Sequence, residues 1–171
     1  MAGRSEVSPE FVVIRRAETT DLDSVHRIET AVFDQPWSPA VFEQFLGEPV
    51  FLVAECVGSE LSNSSGDSTA PNTDIVGYVV ADGPATIGRD GGHIKDLAVH
   101  PIAQGNGLGR TLLQRAVLGL TVAGATRIKL EVRRSNERAI SLYRSAGFEP
   151  VRLRPRYYDD GESALVMISE P

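Results

Sequence analysis

The sequence has almost no cysteine and no long apolar run. Cys56 is the single cysteine among 171 residues. An intrachain disulfide and a cysteine-based metal cluster are therefore both excluded. Such a composition fits a reducing compartment, and a cytoplasmic location is the expectation. The three histidines, His26, His93 and His100, have no second ligand type at helical spacing, so no metal is expected. No apolar stretch approaches the ~20 residues that cross a bilayer, so no membrane association is expected. Residues 1–10 are polar and acidic and lack the apolar region of a signal peptide. They read as a short disordered lead to one domain over 11–171. Positive charge is scarce as well. The net charge is −6, which argues against direct nucleic-acid binding.

What is present is enough for a core. Hydrophobic residues make up 42% of the chain, which supports an independently folding domain. The charge is unevenly divided. Residues 1–100 hold 6 Lys+Arg against 16 Asp+Glu, whereas 101–171 hold 11 against 7. Two ordinary solvated faces explain this as well as an acidic acceptor side and a basic cofactor side do.

Periodicity places strands at 11–14, 50–57, 75–81, 94–99, 127–133, 148–153 and 164–168. The strand 127–133 alternates most clearly, with Ile128, Leu130 and Val132 on one side and Lys129, Glu131 and Arg133 on the other. A helix capped by Thr20 or Asp21 buries Leu22, Val25, Ile28 and Val32. Ser38 and Pro39 open a second helix, with Phe42, Phe45 and Leu46 inside. A third runs from Gly107 to Ala123. Asn136 caps a fourth, and Gly147 ends it. The segment 58–74, rich in Ser, Asn, Gly and Asp, reads as a long flexible loop. Residues 83–92 read as a Gly-rich turn, and Tyr158–Gly161 as a turn between the last strands. The order β-α-α-β-β-β-α-β-α-β-β makes a mixed α/β (α+β) domain.

Gln104-Gly105-Asn106-Gly107-Leu108-Gly109 joins a strand to a helix. Alternate glycines admit a bulky anion to the backbone, and the helix offers unpaired N–H groups and the positive end of its dipole. Such a junction suits a phosphate. A tight turn without a ligand is the rival reading. A P-loop is excluded, because Arg110-Thr111 follows Gly109 instead of Lys-Ser/Thr. A dinucleotide fingerprint is also excluded, because the glycines fall as G-x-G-x-G.

Gln104, Gly107 and Gly109 match the Q/R-x-x-G-x-G/A loop of the GNAT acetyltransferases. The resemblance continues through Leu97-Ala98-Val99-His100-Pro101, Leu130-Glu131-Val132-Arg133, Ser135-Asn136 and Ala139 to Phe148. With Pro36-Trp37-Ser38 and Arg154-Pro155-Arg156-Tyr157-Tyr158, it resembles the bacterial RimI branch over about residues 11–169. The resemblance implies a twisted, mostly antiparallel central sheet with splayed middle strands flanked by helices. It also implies acetyl-CoA as co-substrate and a protein N-terminus, that of a ribosomal protein, as acceptor, with a protein lysine or a small-molecule amine as the alternative acceptor. Leu97, Ala98, Val99, Gln104, Gly105, Asn106, Gly107, Leu108, Gly109, Arg110 and Asn136 would then contact acetyl-CoA. Two departures stand out: 58–74 is longer than the corresponding hairpin, and Gly105 and Asn106 replace basic or Gln residues.

Acetyl transfer needs a free amine, a polarised thioester and a protonated thiolate leaving group. An α-amine, with a pKa of ~7.7–8.0, loses its proton cheaply, whereas a lysine amine at ~10.4 costs roughly 3–4 kcal/mol more at the same pH. The resemblance implies that Glu131 accepts that proton and that Tyr143 protonates the thiolate. By pattern alone Glu131 reads as a solvated strand carboxylate and Tyr143 as a core aromatic. Backbone N–H groups over 97–99 are the expected polarising donors. Trp37, Tyr157 and Tyr158 read either as ordinary packing residues or as acceptor-side walls, and Glu29 and Asp34 are candidate carboxylates for the incoming ammonium.

Overall fold

The computed structural model describes residues 12–57, 74–87 and 90–171. The expected lead 1–10 and nearly all of the expected loop 58–74 lie outside the described residues. The elements are β1 (Val12–Arg16), α1 (Leu22–Val32), α2 (Pro39–Glu43), β2 (Val50–Cys56), β3 (Asp74–Asp82), α3 (Pro84–Ile87) and β4 (Gly91–Val99). They continue with α4 (Leu108–Val122), β5 (Arg127–Arg133), α5 (Glu137–Ser145), β6 (Glu149–Arg154) and β7 (Ala164–Ser169). Short 3-10 turns precede α1 and follow β4.

The strands form one seven-stranded sheet in the order β1-β2-β3-β4-β5-β7-β6. Every neighbouring pair is antiparallel except β4 and β5. Two cores follow from the alternation of side chains across the sheet. On one face, α4 buries Leu112, Leu113, Ala116 and Leu120 with Ile128, Leu130 and Val132 of β5. On the other, α1 buries Leu22, Val25 and Ile28 with Phe42, Phe51 and Tyr78. β3 lies under both, which is why Tyr78, Val79, Val80 and Ala81 are all buried. Packing on this scale, at ~1.5–3 kcal/mol per large apolar side chain, outweighs the weak intrinsic propensity of short helices.

The cap reading needs one correction. Asp21 stands at the N-cap of α1 but makes no capping bond there. Its carboxylate accepts from Arg15 at 2.7 and 2.9 Å and from the Glu18 N–H at 2.8 Å. A guanidinium fork is the stronger partner for a buried carboxylate. Asn136 does cap α5, accepting from the Ala139 N–H at 3.1 Å, and Gly147 follows the helix with φ 86°. Among the described residues, no helix is long and apolar enough to cross a membrane.

Candidate active site

β4 and β5 pair only at Gly91 with Arg127, Gly92 with Ile128 and His93 with Lys129. Beyond His93 they part. On its other edge, β4 shifts register against β3: Asp96 pairs with Val80, and Ile94 with Ala81, leaving Lys95 as the extra residue. Such a bulge bends a strand and resets which side chains share a face. Ile94 and Leu97, three apart, both pack in the α4-side core. His93 and Asp96, also three apart, consequently share the α1 face. The parting strands open a cleft of about 860 Å³.

On the α4 side the cleft meets the Gly-rich junction. Gly105 and Gly107 adopt φ of 89° and 79°, a region that residues with a Cβ rarely enter. Gly107 is the N-cap of α4, whose first turn carries no acidic residue. The first intrahelical bond runs from the Thr111 N–H to the Gly107 carbonyl, so the preceding N–H groups point out of the helix end. Gly105, Asn106, Gly107 and Arg110 are exposed there, and Leu108 is buried. A Cβ on Gly109 would meet Leu142 and Val99 only at ordinary contact distance. The Gln104 side chain is committed within the protein. It donates to the Val99 carbonyl at 2.8 Å and accepts from Arg138 at 2.9 Å, so it pins the loop to the end of β4.

One edge of the β4 main chain faces the gap. The His100 N–H donates to the Val76 carbonyl on the β3 side, whereas the Val99 carbonyl is turned to Gln104. By strand alternation, Leu97 and Val99 present their N–H and C=O groups to the gap. Ala98, between them, pairs with Tyr78 and buries its methyl beneath α1. It shapes the strand without facing the gap.

Glu131 and Tyr143 both line the cleft, as does Asn136. Tyr143 is buried and packs edge-on against Phe148 at 6.1 Å. Burial, and then the neighbouring Asp96 carboxyl, holds its phenol above the ordinary range. It therefore carries its proton at neutral pH. The Glu131 side chain is only 8% exposed. Its Oε2 lies 2.5 Å from His93 Nε2, and its Oε1 lies 3.7 Å from Lys129 Nζ and 3.6 Å from Arg154 Nη1. Burial alone would raise its pKa. The His93 hydrogen bond, with the charges of His93, Lys129 and Arg154, outweighs this and lowers it.

The α1 side holds a second polar group, which the sequence reading had only touched at Glu29. Glu29 is 2% exposed, accepts from the Trp37 N–H at 2.8 Å and accepts from the Tyr78 hydroxyl. Tyr78 Oη also lies 3.0 Å from Asp96 Oδ2. His26 Nδ1 donates to the Trp37 carbonyl at 3.1 Å. Trp37 is thus held by α1 on both sides of its peptide, and its ring stacks on Phe45 at 5.8 Å. Tyr157 and Tyr158 close the far wall edge to face at 5.1 Å, with Arg154 over Tyr157 and Arg133 over Tyr158. Asp34, also on the cleft, is exposed.

His93 and Asp96 were missed because strict alternation sets them on opposite faces. For Glu29 a signal existed: it stands four residues after Val25, inside the apolar stripe of α1.

The profile described as "Acetyltransferase (GNAT) family" matches residues 22–148. The chain is 36% identical to the N-alpha-acetyltransferase RimI of Mycobacterium tuberculosis, over 87% of this chain and 85% of that one. It is 36% identical to an uncharacterized Mycobacterium leprae protein over 94% of this chain, but spans only 41% of that protein's length. Among solved structures, the ribosomal-protein-S18-alanine N-acetyltransferase of Escherichia coli superposes with a TM-score of 0.72 at 31% identity, covering 92% of each chain.

Proposed function

The chain belongs to the acetyltransferase (GNAT) family, and from that premise we propose that it transfers acetyl from acetyl-CoA to the N-terminal α-amine of a protein, a ribosomal protein foremost. Family membership makes it an acetyl-transferring enzyme. The acceptor is supported by the two relatives above that are named as N-terminal acetyltransferases. The observation that carries the reading is the parting of β4 from β5 directly beside the Gly-rich end of α4. A pyrophosphate can sit on that helix end while the thioester reaches the gap.

In that arrangement the free N–H groups of 107–110 hold the pyrophosphate and Arg110 adds charge. The acetyl oxygen meets the Leu97 or Val99 N–H, which polarises the carbonyl. The amine enters from the side of Trp37, Tyr157 and Tyr158. Glu131, paired with His93, accepts a proton from this nitrogen, directly or through water. The nitrogen attacks the carbonyl carbon as an unprotonated amine and sheds a second proton as the amide forms. The C–S bond breaks, and Tyr143 gives its proton to the departing thiolate, whose ordinary pKa is ~8.5. No covalent enzyme intermediate is required. Cys56 is buried in β2, away from the cleft.

Thiol release from acetyl-CoA tests the acceptor class over free N-terminal peptides, N-blocked lysine peptides and polyamines. Turnover is expected with the first. A preference for N-blocked lysine would remove the N-terminal reading. Glu131→Gln and Tyr143→Phe should each lower kcat by ~10²-fold or more with little change in the KM for acetyl-CoA. Full activity in either would remove that role.

A further inference from the structure

We infer that Asp96 is a second proton-accepting catalytic residue, which takes a proton from the acceptor's ammonium while Tyr78 and Glu29 hold it in place. The inference rests on the acetyltransferase reading above and concerns the same cleft. The β4 bulge at Lys95 turns Asp96 onto the acceptor side, immediately before the gap-facing main chain of Leu97. A carboxyl there sits beside the place where the amine must meet the acetyl carbon.

The hydrogen-bond arithmetic around Tyr78 fixes the state of this carboxyl. Tyr78 has one hydroxyl proton and two carboxyl neighbours. It gives that proton to Glu29, its nearer partner. One proton cannot serve both, so the 3.0 Å contact with Asp96 Oδ2 needs a proton from one of the two carboxyls. Two carboxylates that share one phenol cannot both ionise cheaply. In the resting cleft, Asp96 therefore holds a proton in place of a cation. Burial, and then the Glu29 charge, outweigh the hydrogen bonds from Tyr78 and the Leu97 N–H and push this carboxyl well above the usual carboxylate range.

Other charged groups facing this region are already engaged. His93 bonds Glu131 of β5, and Lys95 pairs with Asp82 at 3.3 Å. Glu131 is held by His93, Lys129 and Arg154. Tyr143 of α5 is a protonated phenol near Asp96, and Tyr158 beyond it is a phenol pushed up to about 12 by its own burial. An arriving ammonium supplies the positive charge that the Glu29–Tyr78–Asp96 group lacks and displaces its proton to solvent. The transfer then balances simply. One N–H bond of the ammonium breaks, an O–H bond forms on Asp96, the freed lone pair attacks the thioester, and Glu131 takes the second proton, shed as the amide forms. A carboxyl raised toward an amine's pKa is a better matched acceptor than one lowered away from it.

The test is the pH dependence of kcat/KM for an N-terminal peptide, with acetyl-CoA saturating. Asp96→Asn should lose ~10²-fold near neutral pH, and the loss should shrink as the pH rises past the amine's own pKa of ~8. The KM for acetyl-CoA should stay at the wild-type value, as should cooperative unfolding. Glu131→Gln should instead lose activity across the whole range. Tyr78→Phe keeps the ring and removes only the shared hydroxyl. It should shift the profile in the same direction by less, and it decides the matter if Asp96→Asn does not fold. Profiles parallel to wild type in the folded variants would overturn the inference alone. A wild-type protein that acetylates no α-amine peptide would overturn the acetyltransferase reading of the acceptor and this inference with it.

Discussion

Glu131 and Asp96 face one cleft from strands that have just parted, and their surroundings push them in opposite directions. Each shift has a consequence for stability. Glu131 is lowered in the fold, so its contribution is fully present above the unfolded value of ~4.3 and is lost as pH falls through the lower folded value. Asp96 is raised, so the sign reverses. Between the unfolded value of ~3.9 and the folded one, the folded state keeps a proton that the unfolded chain has released. Stability therefore falls as pH climbs through that window. Asp96→Asn removes the effect. Thermal unfolding over a pH series should show the variant gaining on wild type as pH rises from acid to neutral. A difference in Tm that does not change with pH would contradict the shift assigned to Asp96. At this scale the sequence was legible where residues belong to a motif, as at Glu131 and Tyr143, both of which line the cleft. It was silent at His93 and Asp96, because one inserted residue at Lys95 breaks the alternation on which facing is judged.

The elements most responsible for the site are the Gly-rich junction with α4 and the short paired stretch of β4. The junction was readable from its letters: Gly105 and Gly107 take positive φ, and an apolar stripe follows. Gly107→Ala must force a Cβ into φ 79°, at a cost of ~1–2 kcal/mol. That should raise the KM for acetyl-CoA with a smaller effect on kcat. An unchanged KM would show that the helix end does not hold the cofactor. The start of β4 was not readable. Residues 83–92 were expected to form a Gly-rich turn, yet they contain α3 and the first two residues of β4. Gly91 and Gly92 hide the strand, since glycine weakens any strand pattern. Gly92 is there for space: a Cβ would stand 3.0 Å from Leu120 Cδ1 of α4. These hidden residues carry the β4–β5 pairing and so define where the strands part.

Across the whole molecule the uneven charge divides around the cleft. Glu29, Asp34 and Asp96 line it, whereas Arg110 and Arg138 stand beside the Gly-rich loop. The mixed sheet and its helices were legible in the order of periodic segments. The single parallel pair was not, because pairing partners are set by the crossover through α4. An anionic co-substrate drawn by exposed arginines should bind less tightly in salt. Taking ionic strength from ~0.01 M to ~1 M shortens the screening length from ~30 to ~3 Å. The KM for acetyl-CoA should rise over that range, and a flat response would assign its binding to the backbone cradle alone.

The most direct measurement uses one peptide that begins with alanine and carries an internal lysine, incubated with acetyl-CoA and the protein. Fragmentation by mass spectrometry then locates the acetyl group. It should lie on the N-terminal α-amine, and Glu131→Gln should suppress it. An acetyl group found on the lysine, or none at all, would contradict transfer to protein N-termini.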